Sequence, residues 1–277
     1  MTPAIRLVGL DLDGTVLDSQ KRLTPRTAAA IRRAIAAGCA VLPATGRNRG
    51  GLPEAFVRIP GVRWAVLANG AVVMDLAANE VVIENPLPKA DALAAFALLE
   101  PYDLMLDVYL EGKAFTSRAA FARLKQFAPA AMLEYFRATR TVLDDLPGWL
   151  AAQTAPIEKL TMLFRDLAQR QSAWQRLEAA GRWAVTSSIP NNIELNAVGV
   201  DKGMALLALA ERLGLHKEQV MACGDSSNDL AMLRAVGLPV AMGNASGEVK
   251  ALASVVTGTN DEDGVAQALE RYVLGET

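Results

Sequence analysis

Residues 7–17 read LVGLDLDGTVL, and the way this stretch ends decides the fold. The run from Ile5 to Leu10 has Arg6 as its only charge and Gly9 as its only small residue. That pattern suits a strand buried on both faces of a parallel sheet. It stops at two carboxylates, Asp11 and Asp13, followed at once by Gly14 and Thr15. In open α/β sheets ligands gather at the carboxyl ends of the strands, which is where these acids fall. Asp13-Gly14 is equally a turn dipeptide, so taken alone the stretch leaves capping and chemistry both open.

Working outward, Leu23-Thr24-Pro25-Arg26 opens a helix with Thr24 as N-cap and Pro25 at its first position. Ala28, Ile31 and Ile35 give it an apolar face, and Gly38 ends it. A second strand runs from Cys39 to Ala44 and breaks at Thr45-Gly46-Arg47. Strand, helix, strand is a βαβ unit and implies a parallel pair. Trp64 to Ala68 reads as a third strand, turning through Asn69-Gly70 as a two-residue hairpin into Val72-Val73-Met74, with Glu80 to Ile83 beyond.

The texture changes at Glu84. Pro86 and Pro88 interrupt the rhythm, and a helix over Lys89 to Glu100 leads into strands at Leu104 to Tyr109 and Lys113 to Thr116, which turn at Glu111-Gly112. Helical residues from Arg118 to Phe127, a stretch without clear pattern, a strand at Glu158 to Phe164, a helix at Leu167 to Ala180 and two short strands complete this region. Such an order is that of an inserted α+β layer, assigned to residues 85–190. After Pro190 the alternation returns: a helix from Lys202 capped by Asp201, a strand Val220 to Gly224, a helix from Asn228, a strand Leu238 to Met242, and helices near Ser246 and after Gly264. Residues 1–84 and 191–277 together make one Rossmann-like α/β core with a parallel sheet.

Composition narrows the function. The chain has 277 residues, a hydrophobic fraction of 52% and a formal charge of -2, enough for two domains and no general attraction to polyanions. No basic stripe suits nucleic acid, and no apolar run approaches the ~18 residues of a membrane span. The N-terminus lacks the uninterrupted apolar segment of a secretory signal. The two cysteines, Cys39 and Cys223, lie in strand-like runs as expected of buried reduced thiols. A cytoplasmic protein is expected. The single histidine, His216, follows the helix stop Gly214 and is expected at the surface, which disfavours histidine chemistry.

Four features fall at the ends of predicted core strands or at a helix start: Asp11 with Asp13, Thr45 with Gly46, Lys202, and Gly224-Asp225-Ser226-Ser227-Asn228-Asp229. Lys202 stands in the first turn of its helix, where the macrodipole disfavours a cation unless an anion shares the site. Several carboxylates at one sheet edge repel one another without a cation. Oxygen ligation of this kind favours magnesium.

These motifs resemble those of the haloacid dehalogenase superfamily phosphatases, in particular the Cof-type branch with a large α/β cap inserted between the second and third motifs. Asp11-Leu12-Asp13-Gly14-Thr15 is similar to the first motif, Thr45 to the second, Lys202 to the third, and Gly224-Asp225 with Asn228-Asp229 to the fourth. Asn69-Gly70-Ala71, Ala241 to Ala245 and Glu262 to Ala266 agree as well; Ser226 and Ser254 depart from the usual glycine and aspartate. The resemblance spans both outer segments and is weak in the insert.

It implies a magnesium-dependent phosphomonoesterase for small phosphorylated metabolites, such as sugar phosphates or phosphorylated cofactors. Asp11 would be the nucleophile and Asp13 the acid–base. Thr45, Gly46, Lys202 and Asn228 would hold the phosphoryl group. Asp11, Asp13, Asp225 and Asp229, the last through water, would surround the metal. Arg47 is a further candidate for substrate contact, and the insert is expected to act as a cap that sets specificity. A phosphomutase of the phosphomannomutase type and a non-catalytic phosphate-binding regulatory module are the alternatives. A dehalogenase is disfavoured, because that chemistry has no need of Asp13.

Overall fold

The computed structural model describes residues 4–276. They divide into two compact units, one formed by the residues up to Gly46, Leu52–Glu84 and those from Asp201 on, the other by Arg47–Gly51 and Asn85–Val200.

The first unit is built on a five-stranded parallel sheet. Its strands lie in the order Val255–Val256, Leu238–Ala241, Val220–Gly224, Leu7–Leu10, Ala40–Pro43. Leu7–Leu10 is central, and all four of its residues are buried, as a strand covered on both faces requires. The chain leaves this strand toward Ala40–Pro43 on one side and later returns beside it on the other, so the order of connection reverses there. Register pairs Leu10 with both Cys223 and Pro43, and Gly224 with Ala241. The residues that follow, Asp11, Ala44-Thr45 and Asp225, therefore emerge side by side at one edge, at the topological switch point.

The helix Pro25–Ala36 begins as the sequence indicates, with the Thr24 side chain accepting from the Thr27 amide. Its buried face is Thr27, Ala30, Ile31 and Ala34, so Ala28 and Ile35 flank the seam. Trp64–Leu67, Val72–Asp75 and Glu80–Glu84 form a separate antiparallel sheet, tied to the main one by the bridge between Ala44 and Val66. Leu67 pairs with Val72, so the loop between them holds four residues and not the two of a tight hairpin. Within it Ala68 and Asn69 take φ of 48° and 59°, a conformation that costs a side-chain-bearing residue and signals a loop shaped for something other than the turn.

The second unit is a six-stranded sheet flanked by helices. Its order is Ala184–Thr186, Asn192–Asn196, Ile157–Phe164, Leu104–Leu110, Lys113–Ser117, Arg140–Leu143, antiparallel except for the last pair. Glu111 and Gly112 form the two-residue turn that the sequence indicates, both at positive φ. Helices Lys89–Leu99, Leu146–Ala152 and Leu167–Ala180 share an apolar core with Val108, Leu160, Met162 and Leu195 on one face. Shorter helices between Arg118 and Thr139 cover Met105 and Leu163 on the other.

Two features differ from the sequence reading. The strand Asn192–Asn196 pairs with Ile157–Phe164, so the insert runs to Val200 and not to residue 190. Pro190 lies in a hairpin turn closed by Asn192, whose Oδ1 accepts from the amides of Ser188 and Ile189; the proline marks a turn, not a domain boundary. Arg47–Gly51, read as part of the core, groups with the insert, the Gly50 amide donating to the Gly112 carbonyl. No helix among the described residues is long and apolar enough to cross a membrane.

Candidate active site

The site is assembled from strand ends and one helix start. Asp11 follows the central strand and is tied to its neighbour by its amide, which donates to the Cys223 carbonyl at 3.0 Å. Lys202 opens the helix Lys202–Arg212, capped by Asp201. Its ammonium is fully buried and donates to Asp11 Oδ1 at 2.6 Å and Asp229 Oδ1 at 2.7 Å. A helix start that disfavours a cation is thus occupied by one held between two carboxylates.

Asp229 Oδ2 accepts from the amides of Asp225 and Ser226 at 3.0 and 3.1 Å. With both oxygens engaged, Asp229 shapes the loop after the strand Val220–Gly224 and anchors Lys202. Asp225 points at the loop that follows Asp11, where Thr15 Oγ1 donates to its Oδ1 at 2.7 Å. Gly14 sits at φ 95°, and a Cβ there would lie 2.5 Å from Asp225 Oδ2. Only glycine allows both the conformation and the approach.

Asp11, Asp225 and Asp229 offer carboxylate oxygens within 4.8 Å of one another, the geometry of a cation site. Burial, with the Asp229 and Asp225 charges adding to it, pushes the Asp11 carboxyl well above its usual range although Lys202 pulls it down. Burial, then the Asp229 charge, pushes Asp225 up to about 7. Burial works against the Lys202 charge, but Asp11 and Asp229 outweigh it and hold its pKa above the usual lysine value. Three crowded acids against one ammonium leave the cluster short of positive charge, and a hard divalent cation with oxygen preference fits that donor set.

Asp13 is not one of these three; its Oδ1 accepts from Lys21 Nζ at 2.8 Å, and its charge adds to the upward push on Asp225. Thr45 is buried, with its amide donating to the Val66 carbonyl and its own carbonyl accepting from the Asn69 amide. Asn228 reaches Asn69 Oδ1 at 3.5 Å, and its Oδ1 accepts from Ser226 Oγ at 2.8 Å. Asn69 thus touches both the Thr45 backbone and Asn228, which explains its strained loop. Gly70, at φ 102°, lets that loop close on the helix start: a Cβ would lie 2.2 Å from the Asp201 carbonyl oxygen.

Arg47 lies in the second unit, its guanidinium 4.6 Å from the Tyr135 ring centre and donating to the Gly51 carbonyl at 2.8 Å. Thr15, Lys21 and Asn69 are participants that the sequence reading did not assign. Thr15 and Asn69 lie inside motifs it quoted; Lys21 had only the turn composition of Asp18-Ser19-Gln20 to mark it. His216 is exposed, as expected.

The haloacid dehalogenase-like hydrolase family profile matches residues 8–269. The chain belongs to that family. Bacillus subtilis phosphatase YwpJ is 30% identical, over 97% of this chain and all of its own. The 5-amino-6-(5-phospho-D-ribitylamino)uracil phosphatase YcsE of the same organism is 32% identical over 98% and 96% of the two chains. Escherichia coli pyridoxal phosphate phosphatase YbhA is 30% identical over 97% and 99%. Among solved structures, a haloacid dehalogenase-like hydrolase from B. subtilis superposes with a TM-score of 0.84 at 29% identity, covering 96% of this chain and 99% of that one. This member of the family is an enzyme of the phosphatase class.

Proposed function

We propose that the enzyme is a magnesium-dependent phosphomonoesterase that releases phosphate from small phosphorylated metabolites through an aspartyl-phosphate at Asp11. The observation that carries this is the Asp11–Lys202–Asp229 bridge beside Asp225, which puts a candidate nucleophile, a fixed ammonium and a cation-binding pair of acids at one strand edge. Asp11 and Asp225 are the residues that would hold magnesium, with Asp229 one shell out because its oxygens are already committed. Bound there, magnesium supplies charge that offsets the phosphoryl oxygens and the crowded acids.

Phosphate monoesters resist attack because their oxygens are charged, so a site must neutralise and align them. Lys202 holds a phosphoryl oxygen and keeps the Asp11 oxygen aimed at phosphorus; Thr45, Gly46 and Asn228 hold the others. Asp11 displaces the alcohol, forming an acyl phosphate and splitting one displacement into two. Asp13 gives its proton to the departing oxygen, then takes one from the water that cleaves the acyl phosphate. Relatives named for a phosphoribitylaminouracil and for pyridoxal phosphate support a small phosphorylated metabolite as substrate.

Selection among metabolites falls to the insert. Its sheet carries buried pairs Arg140–Asp107 and Lys159–Glu194, at 2.8 and 2.9 Å, beside Thr161, whose buried hydroxyl makes no hydrogen bond to protein. Cys39 and Cys223, buried thiols that burial pushes up to about 12, suit a reducing cytoplasm. Phosphate release from a panel of phosphorylated metabolites, with magnesium and with EDTA, tests the proposal. Magnesium-dependent release is expected, and stoichiometric transfer to a second sugar in place of release would refute it.

A further inference from the structure

The loop after Asp11 is held far more firmly than a connection needs to be. Asn260 Nδ2 donates to the Leu17 carbonyl at 2.9 Å, and Asp261 Oδ1 accepts from the Ser19 amide at 2.7 Å. Asn244 joins the same clasp: its Nδ2 donates to the Gly14 carbonyl at 2.8 Å and its Oδ1 accepts from the Asn260 amide at 3.0 Å. Asn244 lies in one of the C-terminal motifs singled out in the sequence, and Asn260 and Asp261 immediately precede the other. Neither motif has a part in the chemistry derived above.

What the clasp holds is a small hairpin. Leu17 bridges Leu23, and the Asp18 amide donates to the Arg22 carbonyl. Asp18 Oδ1 closes the turn from inside by accepting from the amides of Gln20 and Arg22 at 2.9 and 2.8 Å. At the tip Lys21 takes φ 61°, a left-handed conformation that costs a residue with a Cβ about 1 kcal/mol or more. That conformation accompanies the return of the ammonium to Asp13 Oδ1 at 2.8 Å, with the two side chains 32% and 21% exposed. A partly exposed ion pair contributes ~0–1 kcal/mol, too little to explain a strained residue at the tip of a hairpin whose Leu17 and Ser19 are held by Asn260 and Asp261. The arrangement makes sense as part of the site: Asp11 and Asp13 are each paired with a lysine, Asp11 with the buried Lys202 that it shares with Asp229 and Asp13 with Lys21 on the hairpin.

We propose that Lys21 is a positioning residue for Asp13, presented by the hairpin that Asn260 and Asp261 clasp with Asn244 bracing Asn260, and that it holds Asp13 through Oδ1 so that the proton carried on Oδ2 can pass to the leaving oxygen. This rests on the assignment of Asp13 as the acid–base. The ammonium on Oδ1 fixes one oxygen of the Asp13 side chain and so restricts rotation about its bonds. Misplacement of a catalytic group by ~1 Å can cost about 100-fold in rate, which sets the scale of the effect.

The experiment compares the unmodified enzyme, K21M, K21R and N260A on an alkyl phosphate and on 4-nitrophenyl phosphate, with thermal melts alongside. The expected result for K21M is a kcat about 10- to 100-fold lower on the alkyl ester and less than about threefold lower on the aryl ester, whose leaving group needs little protonation. K21R should recover most of the loss. N260A should show the same selectivity in weaker form, since it loosens the hairpin without touching Lys21. Equal losses on both esters, no loss on either, or failure of arginine to recover would overturn the inference. An unmodified enzyme inactive on every phosphate ester would overturn the phosphatase mechanism beneath it, whereas an active enzyme indifferent to K21M overturns this inference alone.

Discussion

Replacing the proposed nucleophile should abolish activity and yet leave the protein at least as stable. Asp11 shares a buried site with Asp225 and Asp229, their oxygens within 4.8 Å of one another, and with Lys202 at 2.6 Å. At an effective dielectric of about 20, each like pair at that separation costs about 3 kcal/mol and the lysine returns about 6. Attraction and repulsion nearly cancel, so burial decides, and the ionised Asp11 carboxylate is a net cost to the fold; the upward displacement of its pKa says the same. Asp11→Asn keeps the shape and an acceptor oxygen for Lys202 while removing the charge. In EDTA its melting temperature should equal or exceed that of the unmodified protein by up to about 8 °C, from ~1–2 kcal/mol at ~2–4 °C per kcal/mol. Asp229→Asn is the contrasting perturbation. Its Oδ2 serves two amides and its Oδ1 serves Lys202, so an amide group turns a donor toward a donor in either orientation. A loss of about 3–5 kcal/mol is expected there, a fall of roughly 10 °C or more. Thermal melts of both variants at pH 7.5 in EDTA, followed by circular dichroism, are the assay. If Asp11→Asn melts as far below the unmodified protein as Asp229→Asn does, the electrostatic reasoning is wrong.

Other outcomes follow from the same geometry. The Asp225 carboxyl, at about 7 in the folded protein, keeps a proton that the unfolded chain releases near pH 4; in EDTA, stability should therefore fall as pH rises from about 5 to about 7.5, and magnesium should flatten or reverse the slope in melts across that range. A flat profile in EDTA would contradict this. Gly14→Ala should raise the magnesium concentration needed for half-maximal activity at least tenfold, because its Cβ would displace Asp225; unchanged magnesium dependence would refute it. Asp13→Asn should lose less activity on aryl than on alkyl phosphates, and equal losses would count against its acid–base role.

How much of this was legible in the residues depends on the range of the interactions. The strand Leu7–Leu10, the helix Pro25–Ala36 with its Thr24 cap, and the turn at Glu111-Gly112 are local devices, and the sequence shows them. Lys202 announced itself through a local conflict with the helix dipole. The strand Asn192–Asn196 shows in the sequence, but the boundary at residue 190 cuts it off from the insert, because its partner, Ile157–Phe164, lies far away in sequence while the nearby Pro190 offers a false boundary. The stretch between Phe127 and Glu158 had no clear pattern because its elements are short and one is a strand, Arg140–Leu143, whose first residue is a buried arginine paired with Asp107. A charge at a buried strand position can be understood only with its partner in view. Lys21 was silent for the same reason: its ammonium has meaning only beside Asp13, and Asn244, though inside a quoted motif, acts on the Gly14 carbonyl, a backbone group that leaves no trace in residue type.

The most direct measurement traps the acyl phosphate itself. Enzyme turning over substrate with magnesium is quenched, reduced with borohydride, which converts an aspartyl phosphate to homoserine, and mapped by peptide mass spectrometry. Homoserine at position 11, dependent on substrate and on magnesium, is the result expected. Phosphate carried on any other residue, or turnover that survives in Asp11→Asn, would contradict the account.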